Sequence, residues 1–251
     1  FLGTGSAIPT LSRNHSSIFL KYKDKNMLID CGEGTQRQIR KAKISASKIT
    51  DILITHFHGD HVLGLPGLLH TLSKSDYKNT MNIYCPINSG KLIEDMLKAS
   101  NVRNIKLKIK EVKGKFIDNP YYKITALNLE HDVPCNGYMF EEKNRLRVDK
   151  KKLAKHKLNG IDIAKIVNKK NVKKDGKLIK WKDLTYEEKG RKISFIFDTK
   201  LCNNVNKLTK NSDLAILEST FLNKEKSLAN RYKHLTLEDA VNTAKKQKVK
   251  L

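Results

Sequence analysis

The chain has 251 residues, with 50 Lys and Arg against 26 Asp and Glu, a net charge of +24, and 39 % hydrophobic residues. That length suits one domain, or one domain with a substantial insertion, and it buries enough surface to need no disulfide framework. No apolar run approaches the ~20 residues of a membrane-spanning helix, the opening FLGTGSAIPT lacks a signal-peptide pattern, and the four cysteines (Cys31, Cys85, Cys135, Cys202) form no C-x-x-C pair, which excludes a membrane bundle, a disulfide-dense secreted scaffold and a cysteine zinc ribbon.

A reducing, cytoplasmic setting follows as the expectation. The charge excess points to a polyanionic partner, nucleic acid or an anionic surface. The plain alternative is a lysine-rich surface kept solvated.

In chain order, Ser17–Tyr22 and Asn26–Asp30 read as paired strands turned through Lys23-Asp24-Lys25. Thr35–Lys43 reads as a helix, Asp51–Thr55 as a short buried strand and Leu63–Ser73 as an apolar helix. Asn82–Cys85 is a strand and Lys91–Ser100 a helix; Lys106–Val112, Lys123–Leu129 and Gly137–Phe140 are strands by alternation and β-branched content. Lys192–Phe197 and Leu214–Leu217 are further strands, Leu237–Gln247 is a helix, and Val249–Leu251 begins one more strand. Two sheets covered by helices, with functional loops at one edge, fit this order better than a doubly wound sheet.

Lys143–Lys182 stands apart, with sixteen Lys and Arg against three Asp, a net charge of +13. Leu153, Leu158, Ile161, Ile163, Ile166 and Val167 suggest a small helical hairpin, and Asp175-Gly176 a turn. Charge concentrated on one insertion suits a protruding, phosphate-gripping arm. A disordered lysine-rich loop is the alternative.

The sharpest signal is Thr55-His56-Phe57-His58-Gly59-Asp60-His61. Alternation points His56 and His58 the same way, and Gly59 permits a turn that brings Asp60 and His61 to that side. Imidazole and carboxylate are the non-thiol ligands zinc prefers, and two adjacent pairs suit two metals. One loop cannot complete two sites. His131 in LNLEHDVPCNGY follows a strand, and Asp198 in ISFIFDTK ends one, where an acid is costly unless paired or coordinated. An ordinary loop histidine and a helix N-cap are the alternatives for these two residues. Asp30 either supports the metal loops or caps a turn.

The H-x-H-x-D-H cluster resembles that of the metallo-β-lactamase superfamily. Within it the chain resembles the ribonuclease Z (tRNase Z) family, through FLGTGSAIPT with Arg13-Asn14, LIDCGEGTQRQ at 28–38, ITHFHGDHVLGLPGLL at 54–69, His131 before Gly137-Tyr138, FDT at 197–199, ESTF at 218–221 and HLT at 234–236. The resemblance implies an α/β fold, the metallo-β-lactamase αβ/βα sandwich with a basic arm over 143–191 that binds tRNA. It implies that His56, His58 and His131 hold one zinc, that Asp60 and His61 hold the other, and that Asp198 bridges them. Asp60 would be the general base, His234 the proton donor and Glu218 its orienting carboxylate. The implied activity is endonucleolytic removal of the 3′ trailer of precursor tRNA by a homodimer carrying two zinc ions per subunit.

Three departures stand beside this. The family's last zinc ligand, a histidine beyond the final strand, would fall after Leu251, so the fold domain 1–251 is expected to be C-terminally incomplete. The insertion lacks a Gly-Pro motif. ESTF and HLT stand where the family has H-E-A-T-F and H-S-T. The other readings are a small-molecule phosphodiesterase or arylsulfatase-like hydrolase of the same superfamily, and a non-catalytic RNA-binding module.

Overall fold

A tight turn at Lys23, whose φ is 52°, folds β1 (Ile18–Tyr22) back on β2 (Lys25–Ile29) as an antiparallel pair. The computed structural model describes residues 1–251, and they divide into two units. The larger comprises residues 1–118, 124–140 and 192–251; the smaller comprises 119–123 and 141–191.

In the larger unit, β2 is followed in parallel by β3 (Asp51–Leu53), β4 (Thr80–Cys85) and β5 (Lys106–Glu111), giving a five-stranded sheet in the order β1-β2-β3-β4-β5. Parallel neighbours require crossover connections, which lay helices on the sheet. These are α1 (Thr35–Lys41), the one-turn α2 (Gly59–Val62), α3 (Gly64–Lys74) and α4 (Gly90–Ala99). Leu65, Leu68, Leu69 and Leu72 fall at i, i+3, i+4 and i+7, so one stripe of α3 is apolar and fully covered. That stripe packs with Ile39, Ile93 and Leu97 on Leu28, Ile52 and Ile83 of the sheet.

The second sheet begins with β6 (Gly114–Asp118), β7 (Tyr122–Leu129) and β8 (Cys135–Glu142). Between β8 and the return of the chain lie β9 (Arg145–Val148), α5 (Lys150–Lys155), α6 (Gly160–Val167), β10 (Val172–Lys174), β11 (Lys177–Ile179) and β12 (Thr185–Glu188) of the smaller unit. The chain then adds β13 (Lys192–Ile196), α7 (Asn203–Thr209) and β14 (Leu214–Leu217), completing the order β14-β13-β8-β7-β6. It finishes with α8 (Lys226–Arg231) and α9 (Leu237–Lys246). The two sheets meet where the Tyr84 ring packs, tilted by 47°, against Phe116 at 4.9 Å, and where Tyr138 Oη donates to Ile54 O at 2.6 Å.

The smaller unit has its own core of Ile166, Val172 and Leu184, with Leu153, Leu158, Ile179 and Trp181 packed on it. Asp149 and Asn159 cap α5 and α6 by accepting from N–H groups of their first turns. Asp175 and Gly176, at φ 48° and 75°, close the β10–β11 hairpin. Its ends are held together: Glu142 N–H donates to Arg191 O at 2.9 Å, and the Glu142 carboxylate accepts from Arg191 N and Nη2.

Three differences from the sequence reading have physical causes. The insertion 143–191 contains two short strand pairs besides the two helices expected of it, one of them formed where β-branched Val172 pairs with Ile179 across the turn. Val249–Leu251 is not a strand; two hydrogen bonds, Lys250 N–H to Ser212 O and Ala215 N–H to Leu251 O, are too few for a ladder. Strand β6 was not visible, since GKFID carries only a short apolar alternation.

Candidate metal centre

The short apolar strand β3 carries the chain into the interior, so Ile54, Thr55 and His56 are fully buried. His58 ends this extended stretch and is the N-cap of α2, whose single turn carries Asp60 and His61. The turn is helical, and Gly59 does not adopt a positive φ. Small residues let the neighbouring loop close against it. A Cβ at Gly32 would lie 2.2 Å from Asp60 O, and one at Gly64 would lie 2.0 Å from Gly32 O.

His131 follows β7, and Asp198 follows β13. Thr199, the last residue of FDT, ties these two strand ends. Glu130 N–H donates to Thr199 Oγ1 at 3.1 Å, and Lys200 N–H donates to Glu130 O at 3.0 Å. Residues as far as 73 positions apart in the chain therefore arrive together: His58 Nδ1 lies 3.1 Å from His56 Nε2 and 3.2 Å from His131 Nε2. Asp198 Oδ2 lies 3.5 Å from His56 Nε2, 3.6 Å from His61 Nε2 and 4.0 Å from His131 Nε2. Asp60 Oδ2 is 3.5 Å from His61 Nε2.

Asp30 organises the imidazoles. It is fully buried in the left-handed region, at φ 59°. Its carboxylate accepts from Thr55 N and Thr55 Oγ1, both at 2.7 Å, and from His61 Nδ1 at 2.6 Å. Thr55 Oγ1, having given its proton to Asp30, accepts from His56 Nδ1 at 3.1 Å. His131 Nδ1 donates to Lys233 O at 3.3 Å. These bonds fix the orientation of each ring and leave Nε2 of His56 and His131 as bare lone pairs.

His56 Nε2 and His131 Nε2 both face His58 Nδ1, which has at most one proton to give. One contact is then lone pair against lone pair, inside a buried cluster. A divalent cation satisfies it, and three imidazoles with shared carboxylates are a zinc-type set.

The electrostatics have the same origin. Burial lowers the His56 imidazole well below its ordinary value, reinforced by the charge of His61. Burial also lowers His131. For His61 burial acts downward, but Asp30 and Asp198 outweigh it and raise the imidazole well above the usual range. Burial acts to raise the Asp198 carboxyl, yet the hydrogen bond and charge of His61 hold it far below the ordinary carboxylate range. Burial raises Asp30.

Beside this cluster, both carboxylate oxygens of Glu218 lie 3.0 Å from His234 Nδ1. Thr199 N–H donates to Glu218 Oε1 at 2.7 Å, and Thr220 Oγ1 donates to Glu218 Oε2 at 2.5 Å. Asp198, Glu218 and His234 also come within metal-holding distance of one another. The Glu218 oxygens are already occupied by three donors, so Glu218 orients His234 and leaves its Nε2 free. Burial acts to lower His234, and the Glu218 hydrogen bond and charge outweigh it, raising the imidazole. The rings of His131 and His234 are 5.1 Å apart. A cavity of about 340 Å³ opens on Asp60, His61, Asp198 and Glu218, with Arg13 and Phe197 in its wall.

All eight residues singled out from the sequence (His56, His58, Asp60, His61, His131, Asp198, Glu218 and His234) thus converge on one region. The roles of Thr55, Thr199 and Lys233 were not visible, because each acts through a backbone or hydroxyl contact that has no spacing signature.

Two mixed sheets faced by helices, with a His/Asp cluster at the strand ends, define a hydrolase of the metallo-β-lactamase superfamily. Residues 1–146 match the family model described as Anti-Pycsar protein Apyc1. Ribonuclease Z of Nanoarchaeum equitans is 38 % identical over 95 % of this chain and 76 % of its own length. That of Thermococcus kodakarensis is 38 % identical over 100 % of this chain and 81 % of its own length. The crystal structure of the short form of human tRNase Z superposes with a TM-score of 0.73 at 26 % identity, covering 100 % of this chain and 88 % of that one. The chain belongs to the ribonuclease Z family of hydrolytic endonucleases.

Asp30→Asn is expected to lower zinc affinity roughly 10–100-fold, because the rings lose the acceptor that fixes their tautomers. Competition with a chromogenic chelator measures this. Unchanged affinity in a folded variant would remove Asp30 from that role.

Proposed function

We propose that this chain is a zinc-dependent endoribonuclease that removes the 3′ trailer from precursor tRNA and leaves a 3′-hydroxyl on the tRNA. His56, His58 and His131 would hold one zinc, Asp60 and His61 a second, and Asp198 both. When bound, the two ions supply a water acidic enough to attack near neutral pH and neutralise charge on the phosphoryl oxygens.

The chain's own groups supply the rest. Asp60 takes the proton of the attacking water. His234, with its Nδ1 held by Glu218, gives a proton from Nε2 to the leaving 3′ oxygen. The phosphate stays on the 5′ end of the trailer. The folded insertion grips the tRNA body through its phosphates, with little dependence on sequence. The working form is a cytoplasmic homodimer in which the insertion of one subunit holds tRNA for the site of the other. No helix is long and apolar enough to cross a membrane.

The observation that carries this reading is the meeting of His56, His58, His131 and Asp198, drawn from three separate strand ends, in a chain related to ribonuclease Z over nearly its whole length. Incubating the zinc-loaded protein with an end-labelled precursor tRNA tests it. One cut after the discriminator base, leaving a 3′-hydroxyl, is expected. Hydrolysis of bis-p-nitrophenyl phosphate with the tRNA left intact would identify a small-molecule hydrolase instead.

Glu218→Gln is expected to lower the cleavage rate by roughly 10²-fold with little change in KM, since the amide neither fixes the His234 tautomer nor stabilises its charged form. Adding His234→Ala to it should lower the rate no further than His234→Ala alone. Multiplicative losses would show that the two residues act independently.

A further inference from the structure

Strand β5 carries Lys106, Lys108 and Lys110 at alternate positions, and all three are exposed. Leu107 and Ile109 between them turn to the core of the larger unit. Strand geometry therefore sets three ammonium groups in a row on one face, about 6.6 Å apart along the chain. β5 is the outer strand of its sheet, so one side of the row has no neighbouring strand.

The row is not neutralised. Its partners on β4 are Thr80, Asn82 and Tyr84, none of them acidic. None of the three lysines forms an ion pair; Lys110 Nζ lies over the Tyr84 ring at 5.6 Å. Nearby acids are committed elsewhere. Glu111 accepts from Gly90 N–H at 2.8 Å, at the start of α4. Asp51 shares the face two strands away, but it is buried and accepts from Thr50, Asn82 and Tyr84. Asp118 pairs with Lys115 at 2.5 Å.

Lysines are common on edge strands, where they prevent pairing with another chain. A single charge suffices for that. Three in register, with no acid opposite, repel one another unless an anion lies along them. Their spacing is of the order of that between successive phosphates of a nucleic-acid strand. We propose that β5 is a second phosphate-tracking surface for RNA, built into the larger unit and separate in sequence from the lysine-rich insertion. This rests on the reading of the substrate as RNA.

The test is a salt titration of precursor tRNA binding in the intact protein. Replacing the row by Lys106→Gln, Lys108→Gln and Lys110→Gln is expected to reduce the slope of log K against log salt by about 2–3, and to weaken binding at least ~10-fold near 0.15 M salt. The corresponding Arg triple keeps the charge and should keep the slope. Lys21→Gln, Lys23→Gln and Lys25→Gln, on the hairpin at the opposite edge of the same sheet, remove equal charge and should change the slope by less than about 1.

A Gln triple with the wild-type slope overturns the proposal, whether or not that variant self-associates. So does a hairpin triple that lowers the slope as much, since net charge alone would then explain the loss. Wild-type protein that fails to bind the tRNA at all overturns both this proposal and the substrate reading on which it rests.

Discussion

Asp60→Ala is expected to slow precursor tRNA cleavage by at least ~10³-fold while leaving tRNA affinity within about twofold. Asp60 sits in the first turn of α2, largely buried at the edge of the cavity, with Oδ2 3.5 Å from His61 Nε2. Its proposed duties are to hold the second zinc with His61 and to accept the proton of the attacking water. Neither contributes to gripping the body of a tRNA. The loss should therefore fall on kcat in single-turnover cleavage, with filter-binding affinity retained. Asp60→Asn should be nearly as inactive, because the amide is neither an anionic ligand nor a base. The variant should stay folded: Asp60 holds no core contact, and the helix turn around it depends on backbone bonds from His61 and Leu63. Turnover near the wild-type rate would take Asp60 out of the chemistry and leave His234 as the only side chain placed to move a proton.

Removal of the insertion is the second large effect. Joining Glu142 to Arg191 through a short Gly-Ser linker deletes 143–190, which contains the +13 segment 143–182. The structure makes this cut natural, since Glu142 and Arg191 are already joined by backbone and side-chain bonds. The insertion has its own small core around Ile166, Val172 and Leu184, so its removal opens no cavity in the core built by α3. Loss of several phosphate contacts should weaken tRNA binding on the order of 10²–10³-fold and flatten its salt dependence by several units of slope. Cleavage of a small phosphodiester by the same variant should persist. A salt slope equal to that of the intact protein would show that the grip lies elsewhere.

Much of the fold was legible because burial leaves a periodic trace. Leu65, Leu68, Leu69 and Leu72 announce a helix face, and the run Asp51–Thr55 announces a strand covered on both sides, observed over Asp51–Leu53. The insertion was legible as a unit from its charge but not in its architecture. Its strand pairs β9–β12 and β10–β11 involve as few as three residues a side, and such short runs have no period to detect. The chemistry of the loop 56–61 was legible because coordination demands particular donor atoms at close spacing. Asp30 could be narrowed only to a support for the metal loops or a turn cap. Its partners are a hydroxyl and an imidazole some 25 and 31 positions away.

By itself the sequence determined which donors exist, that four of them share the loop 56–61, and that the charge excess favours a polyanion. Only the tertiary structure decided that His131 and Asp198 reach that loop, which ring nitrogens are bare, and that Glu218 serves His234. The reason is that donor type is a property of one residue. Convergence, tautomer and orientation are properties of hydrogen bonds between strand ends, and these exist only once the two sheets have packed.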